Sequence, residues 1–418
     1  MKKKVRVGYI GLGRRGFGVL KENFSQMKDV EITAISDLSD SRLEEARKIV
    51  VENSGHEPIL VKDYHEIINN PDIDAVIIMI GWSGRPQMAM ESLRAGKYTA
   101  IEVGCADNLQ ECFDLIKAYE ETGIPLMMLE NCCYGRREMM LLNMVKQGLF
   151  GELVHCTGGY QHYLNEMELF KNVDREEIVH YRLAHYREKN RENYPTHELG
   201  PIAKLLDINR GNRMVKLSSF ATKAVGIKTY ARDHLGADSK YAQDDYKQGD
   251  IVNTVITCEG GETILLTLDT TLPRAYYSRN LSVRGTKAMS SEERKVVFME
   301  GMEEEIENNE DEMYARYDHP LHTEYIAKGV KEGHGGMDWL VCRAFIESVK
   351  AGIDTPIDAY DTVTWMAIGP LSEQSIAQGG LPVEIPDFTG GKWQNREPVV
   401  ECKYCLDKIC RDDEVSVV

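Results

Sequence analysis

Over the first 130 residues, short apolar runs alternate with amphipathic stretches. "VRVGYIG" and "VEITAIS" are β-rich runs. "AVIIMI" (75–80) is apolar throughout, as expected of a strand covered on both faces. Between such runs lie segments like "SRLEEARKIVVEN", an amphipathic helix for which Asp40 or Ser41 is the expected N-cap. "KYTAIEV" and "IPLMML" read as two further strands, each preceded by a helical stretch. Repeated strand–helix units predict a parallel sheet with helices on both faces.

The pattern changes near residue 150. "LVHCTGGYQHY", "MVKLSSFATKAVGI", "DIVNTVITCEGGETILLTLDTTL" and "NLSVRGTKAMS" are longer strand-like runs with turn punctuation, and "EGGE" (259–262) reads as a hairpin connection. They predict a mostly antiparallel sheet in an α+β domain. The expected division is 1–150 for the α/β domain and 151–418 for the second. The acidic stretch 299–313 reads as a solvated loop or exposed helix. "GGMDWLVCRAFIESVKAG" and "AYDTVTWMAIGPLSEQSIAQGG" are late helices that can pack on either domain. No internal repeat is visible.

Composition narrows the partners. The chain has 418 residues, 42% of them hydrophobic, enough for large cores. Its 50 basic and 67 acidic residues give a net charge of −17, which argues against nucleic acid or an anionic membrane as partner. No apolar run reaches membrane-spanning length. The start, "MKKKVRVGYIGLG", reads as a first strand and not an export signal, so a cytoplasmic enzyme is expected. Ten cysteines then read as reduced thiols. The tail "ECKYCLDKIC" has three cysteines but no evident fourth ligand, so no metal is expected.

Candidate chemistry begins at "GYIGLGRRG". Gly11, Gly13 and Gly16 form G-x-G-x-x-G between a strand and a helix. Such glycines permit a tight turn and let backbone approach a pyrophosphate at a helix N-terminus. Asp37 ends the second strand about 20 residues on, where an acid binds ribose hydroxyls. A carboxylate there favours NAD over NADP. Arg14 and Arg15 are the counter-observation, because arginine can hold a phosphate.

The whole pattern resembles the Gfo/Idh/MocA superfamily, with an N-terminal Rossmann domain and a C-terminal α+β domain. Typical oxidoreductases there carry Glu-Lys-Pro at a strand end, the lysine assisting proton removal; this chain has Glu102-Val103-Gly104. It is most similar to glycoside hydrolase family 109, the NAD-dependent α-N-acetylgalactosaminidases, which also lack the lysine. The likeness runs through "MMLENCCYGRREMMLLNMVKQGLFGELVH", "GGYQH", "YPTHELGPIAKLLDINRGNR", "GDIVNTVITCEGGETI", "LPRAYY", "GHGGMDWLVCRAFIESVK" and "TPIDAYDTVTWMAIGPLSEQSIAQGG". The resemblance implies a redox-neutral hydrolysis of a small glycoside: C3 oxidation by NAD⁺, elimination of the aglycone, water addition and C3 re-reduction. The paired carboxylates of ordinary glycosidases are then unnecessary.

It also implies a site. His197 is the expected proton-transfer group, and Tyr160 an assisting acid, base or donor. Glu130, His162, Arg182, Tyr194 and Tyr276 are expected around the substrate, with Tyr277 an adjacent competitor for Tyr276. Arg14, Arg15, Asp37, Glu102, Val103 and Asn131 fall on cofactor positions, as do Trp82 and Arg85. Three places depart from the family. Gly84 and Arg85 stand where a Trp and His are usual. Glu198 replaces a common glycine, and is expected to raise the histidine pKa, to select a cationic or differently substituted sugar, or simply to favour a helix start. Tyr163 stands where an acid often follows "YQH". Pro201 lacks an N–H and is expected in a first helical turn, holding His197 at a helix start. Two other readings stand beside this one. A plain NAD-dependent sugar or polyol dehydrogenase is opposed by the missing lysine. A non-catalytic sugar- or NAD-binding regulator is opposed by Tyr160, Arg182 and His197. Homo-oligomerisation through the second sheet is expected by analogy alone.

Overall fold

The computed structural model describes residues 4–171, 180–303, 306–328, 334–397 and 403–409. The N-terminal alternation forms six parallel strands: β1 (Val5–Ile10), β2 (Val30–Ser36), β3 (Ile59–Val61), β4 (Ala75–Ile78), β5 (Tyr98–Ile101) and β6 (Leu126–Met128). Their order is β3-β2-β1-β4-β5-β6. Direction of winding reverses between β1 and β4, which opens a crevice at the strand C-termini, where this class of sheet binds ligands. β4 is buried at every position, in keeping with its unbroken apolar run. The helix Asp40–Ser54 is capped by Ser39, whose hydroxyl accepts from the Arg42 N–H at 3.4 Å. The cap is thus one residue before the expected Asp40 or Ser41. Ser39 keeps extended backbone, while Asp40 is already helical.

Eight more strands build the second sheet: β7 (Leu153–Gln161), β8 (Met214–Ala221), β9 (Ile251–Cys258), β10 (Thr263–Asp269), β11 (Ser282–Gly285), β12 (Ala288–Ser291), β13 (Val296–Met299) and β14 (Val383–Glu384). The order is β13-β12-β11-β7-β10-β9-β8-β14. Every pair is antiparallel except β7–β10. Residues 259–262 close the β9–β10 hairpin, with the Cys258 N–H on the Glu262 carbonyl and Gly261 at φ +95°.

The inner face of β7 meets the helix Thr196–Leu205. Gly158 allows that approach, since a Cβ there would lie 2.0 Å from Glu198 Cγ; a Cβ on Gly159 would instead lie 2.0 Å from the Thr267 carbonyl oxygen of the neighbouring strand β10. The late helices serve both sheets. Met337–Ala351 ties to the first through Arg343, which grips both Asp29 oxygens at 2.6 and 3.0 Å. Ile368–Ala377 covers β8, where Ser375 Oγ accepts from the Ser219 N–H at 2.9 Å. In the acidic stretch, residues 304 and 305 lie outside the described residues, and Glu310–Tyr317 is helical. Cys402 and Cys410 of the tail also lie outside them, whereas Cys405 is buried.

Candidate active site

The glycine loop is shaped by contact at two of its glycines and open at the third. Gly11 has φ +97°, and a Cβ there would sit 2.9 Å from the Met79 carbonyl. A Cβ on Gly16 would stand 2.3 Å from the Gly11 oxygen, so that glycine is needed for helix–strand packing. A Cβ on Gly13 meets nothing within 4 Å. Gly13 begins the helix Arg14–Glu22, which has no side-chain cap and no acid in its first turn. An open, uncapped helix start suits an anionic pyrophosphate. Asp37 stands at the end of β2, accepting from the Leu12 N–H at 2.7 Å and the Ser39 N–H at 2.9 Å, which fixes the carboxylate beside the loop.

Arg15 is not positioned as a phosphate ligand. It grips both Asp338 oxygens at 2.7 and 2.8 Å and reaches Glu102 Oε2 at 3.0 Å. Its donors are spent on acids, which removes much of the argument for NADP; Arg14 is exposed. Asn131 donates to Asp338 at 2.7 Å. His334 Nδ1 lies 2.8 Å from the same carboxylate. Burial pushes the Asp338 carboxyl up, yet Arg15 and His334 hold it far below the usual range. Asp338 is therefore the hub that ties Arg15 and Asn131 together. Sequence alone offered only an acid in a first helical turn after "GHGG".

Arg85 differs from its expected cofactor role. Its guanidinium donates to the carbonyls of Glu102, Val103 (2.8 Å) and Ile80 (2.8 Å) and is buried. Gly84, at φ +79°, starts the helix and turns Arg85 inward, so the side chain braces the ends of β4 and β5. Val103 is buried and offers no titratable group where dehydrogenases carry lysine. Glu102 Oε1 accepts from the Val103 N–H at 2.9 Å. Gly104, at φ +151°, lets the Trp82 indole lie on it: a Cβ there would come within 2.4 Å of Trp82 Cδ1.

Opposite this crevice stand the remaining candidates. His197 is the second residue of its helix, and its Nδ1 lies 2.8 Å from Glu130 Oε1. Glu130 is fully buried and also accepts from the Cys132 N–H at 3.1 Å. Burial raises the Glu130 carboxyl, but His197 overcomes that and holds it below its ordinary value. A carboxylate on one imidazole nitrogen orients the ring and leaves the other nitrogen for proton transfer. Gly200 permits the close fit, since a Cβ there would meet Glu130 Cγ and Cys133 Sγ at 3.0 Å. Pro201 falls in the second turn, not the first: the helix begins at Thr196. The His197 carbonyl therefore has no i+4 N–H to accept.

Tyr160 OH is 3.0 Å from His162 Nδ1. Its ring packs 4.4 Å from Tyr194 and 5.5 Å from His197, centroid to centroid. Burial raises the Tyr160 phenol and lowers the His162 imidazole, so both favour neutral forms. Arg182 lies in an aromatic cage, its Cζ 4.6 Å from the Tyr194 ring centroid, 5.3 Å from Trp82 and 5.8 Å from Tyr160. Glu168 approaches its Nε at 3.4 Å, yet Nε and Nη1 are buried without a hydrogen bond among the described residues. Buried, unmet guanidinium donors suit a polar ligand atom.

Two expectations change here. Tyr276 is exposed and donates to Glu293 at 2.8 Å, away from the cluster. Tyr277 takes the place by the site, its ring 5.1 Å from His162 and 6.1 Å from Tyr160. Glu198 does not flank the His197 ring, because adjacent helical residues point to different faces. It is buried beneath Gly158, 3.7 Å from Arg279 Nε, and burial raises its carboxyl well above the usual value. Tyr163 turns instead toward Tyr230, with centroids 6.3 Å apart.

The fold and the loop define an NAD-binding dehydrogenase-type protein, and NAD is its cofactor: residues 5–129 match "Oxidoreductase family, NAD-binding Rossmann fold". Solved structures share that architecture at low identity. One is a levoglucosan dehydrogenase in complex with NADH and levoglucosan (TM-score 0.67, 16% identity, 92% of this chain and 100% of that one). Another is an NAD-binding oxidoreductase from Klebsiella pneumoniae (TM-score 0.69, 15% identity, 92% and 100%). Residues 134–395 match "Glycosyl hydrolase 109, C-terminal domain", and the chain belongs to that family of enzymes. It is 40% identical to a glycosyl hydrolase family 109 protein of Stenotrophomonas maltophilia (strain K279a), over 95% of this chain and 92% of that one. It is 36% identical to an α-N-acetylgalactosaminidase of Tannerella forsythia, over 94% and 88%. Among the described residues, no helix is long and apolar enough to cross a membrane.

Proposed function

We propose that the enzyme hydrolyses small α-N-acetylgalactosaminide-like glycosides by a route with no net redox change. Bound NAD supplies hydride acceptance and return at a sugar carbon. Gly11, Gly13, Gly16 and Asp37 would hold it, with Glu102, Val103, Trp82 and Asn131 shaping the crevice. His197 takes and returns a proton at the carbon beside the oxidised centre, and Glu130 stabilises the charge the ring then carries. Tyr160 and His162 form a neutral hydrogen-bonded pair that donates to sugar oxygens. Arg182 offers its unmet donors to a hydroxyl or the acetamido oxygen, and Tyr194 and Tyr277 line the sugar. The observation that carries this is the His197–Glu130 pair, which supplies a proton carrier where no lysine stands at position 103. The eight described cysteines are all free thiols, which suits a cytoplasmic setting. Apolar Val154, Phe220 and Val255 on the second sheet are exposed, which supports self-association.

The test is incubation with aryl glycosides in deuterated water, following aglycone and NADH together. Aglycone release, deuterium at C2 and no net NADH are expected. NADH accumulating at substrate stoichiometry would replace this assignment with a dehydrogenase. No turnover across a broad glycoside panel by NAD-loaded protein would replace it with a regulator. His197→Ala should lose turnover and keep NAD.

A further inference from the structure

Cys132 has no part in the chemistry above, yet it stands beside the residues that do. One ring nitrogen of His197, one carboxylate oxygen of Glu130 and Cys132 Sγ all lie within 4.8 Å of one another. The grouping is built by the backbone. Glu130 and Cys132 bracket the start of the turn Asn131–Tyr134, and the Cys132 N–H bonds back to Glu130 Oε1 at 3.1 Å. Gly200 lets the helix carrying His197 close onto them.

A second observation concerns Glu130 itself. It is fully buried, and its Oε2 accepts no hydrogen bond of ordinary geometry. Thr196, whose hydroxyl helps lower the Glu130 carboxyl, makes none either. A buried carboxylate oxygen that no ordinary hydrogen bond satisfies, next to a thiol and an imidazole, is free to take a cation. Thiolate, imidazole and carboxylate together select a borderline-soft divalent ion over magnesium or calcium. Bonds of about 2.0–2.3 Å put the ligands of tetrahedral zinc roughly 3.3–3.8 Å apart. The 2.8 Å His197–Glu130 contact must therefore open slightly, and no other separation, all being within 4.8 Å, need close by more than about 1.5 Å.

We infer that Glu130, Cys132 and His197 form a three-ligand site for Zn²⁺, with a non-protein ligand in the fourth position, and that its occupation inhibits the enzyme. Binding forms a zinc–sulfur bond and releases the Cys132 thiol proton to solvent, with no change in oxidation state. The metal then holds the imidazole that moves the proton; the inhibitory part rests on the function proposed above, and the binding part does not.

The test titrates NAD-loaded, full-length protein with Co²⁺ as a spectroscopic stand-in. One equivalent should give the visible bands of a four-coordinate site and a near-ultraviolet thiolate-to-cobalt band, both lost on adding Zn²⁺. Cys132→Ser should lose the thiolate band, keep turnover, and need at least tenfold more Zn²⁺ for half inhibition. A thiolate band that survives in Cys132→Ser would assign the metal to other cysteines and overturn the site, as would no band in the unmodified protein. If Cys132→Ser does not fold, zinc-edge X-ray absorption of the unmodified protein decides: one sulfur neighbour is expected, and none, or two or more, overturns it. Metal binding without any glycoside turnover would sink the functional assignment and leave the site standing. Undiminished turnover with zinc bound would overturn the inhibition.

Discussion

Replacing Glu130 by glutamine probes the centre of the site with almost no change of shape. Glu130 is fully buried, with Oε1 2.8 Å from His197 Nδ1 and 3.1 Å from the Cys132 N. A glutamine oxygen can keep both contacts, so what is removed is the charge. At the low end, a hydrogen bond to a charged group exceeds a neutral one by about 1–2 kcal/mol. At the high end, two unit charges about 4 Å apart attract by about 4 kcal/mol at an effective dielectric of 20. The proton taken from the substrate puts a positive charge on the His197 ring beside this carboxylate, so the loss falls on the chemical step. Glu130→Gln should therefore lower kcat about 10²-fold, within limits of roughly 10 to 10³, and leave NAD affinity within about twofold. The assay is steady-state aryl glycoside hydrolysis with NAD binding measured in parallel. A kcat within threefold of the unmodified enzyme, or a loss confined to KM, would refute the role given to the carboxylate. Stability supplies a second reading. The folded carboxyl lies below its ordinary value, so ionised Glu130 stabilises the fold above its unfolded pKa of about 4.3. That contribution disappears as pH falls through the folded pKa. The stability deficit of Glu130→Gln should accordingly be present at pH 7 and shrink in more acidic solution.

Gly16→Ala should cost about 1–3 kcal/mol from its clash with the Gly11 carbonyl. Gly13→Ala should leave the melting temperature almost unchanged and weaken NAD binding at least tenfold; equal NAD affinity would refute the cradle. Tyr277→Ala should raise KM at least tenfold, and Tyr276→Ala should stay within twofold, which steady-state kinetics on one glycoside compares directly. Burial pushes the Glu192 carboxyl up to about 8, so the folded protein holds a proton there that the unfolded chain releases near pH 4.3. Stability from this group falls as pH rises from that value to about 8 and is level beyond. Glu192→Gln should remove the slope, gaining on the order of 3 kcal/mol relative to the unmodified protein between pH 5 and 8.5. Parallel urea-unfolding stabilities at the two pH values would sink that assignment.

The early strands and helices were legible because period-2 and helical patterns are local, and βα alternation has few topological solutions. The G-x-G-x-x-G loop with Asp37 was legible because phosphate binding demands glycine at fixed offsets. Glu130, Tyr160, Arg182 and His197 came from family likeness, and chain order alone does not join Glu130 to a histidine 67 positions on. Tyr276 and Tyr277 follow the Pro273 turn, outside any strand, so alternation cannot say which ring faces the site. Arg85 was a cofactor candidate until Gly84 turned it toward the backbone carbonyls of its own sheet.

By itself, then, the sequence determined the two kinds of sheet, the cofactor loop and the kinds of residue available for proton transfer. These depend on periodicity and on short-range backbone geometry. Only the tertiary structure decided which charges meet. Arg15 finds Asp338 across 323 residues, Glu198 sinks beneath Gly158 toward Arg279, and Glu130 reaches His197. Such pairings depend on which side chains share a space sheltered from water, and that sheltering is a property of packing, not of order along the chain.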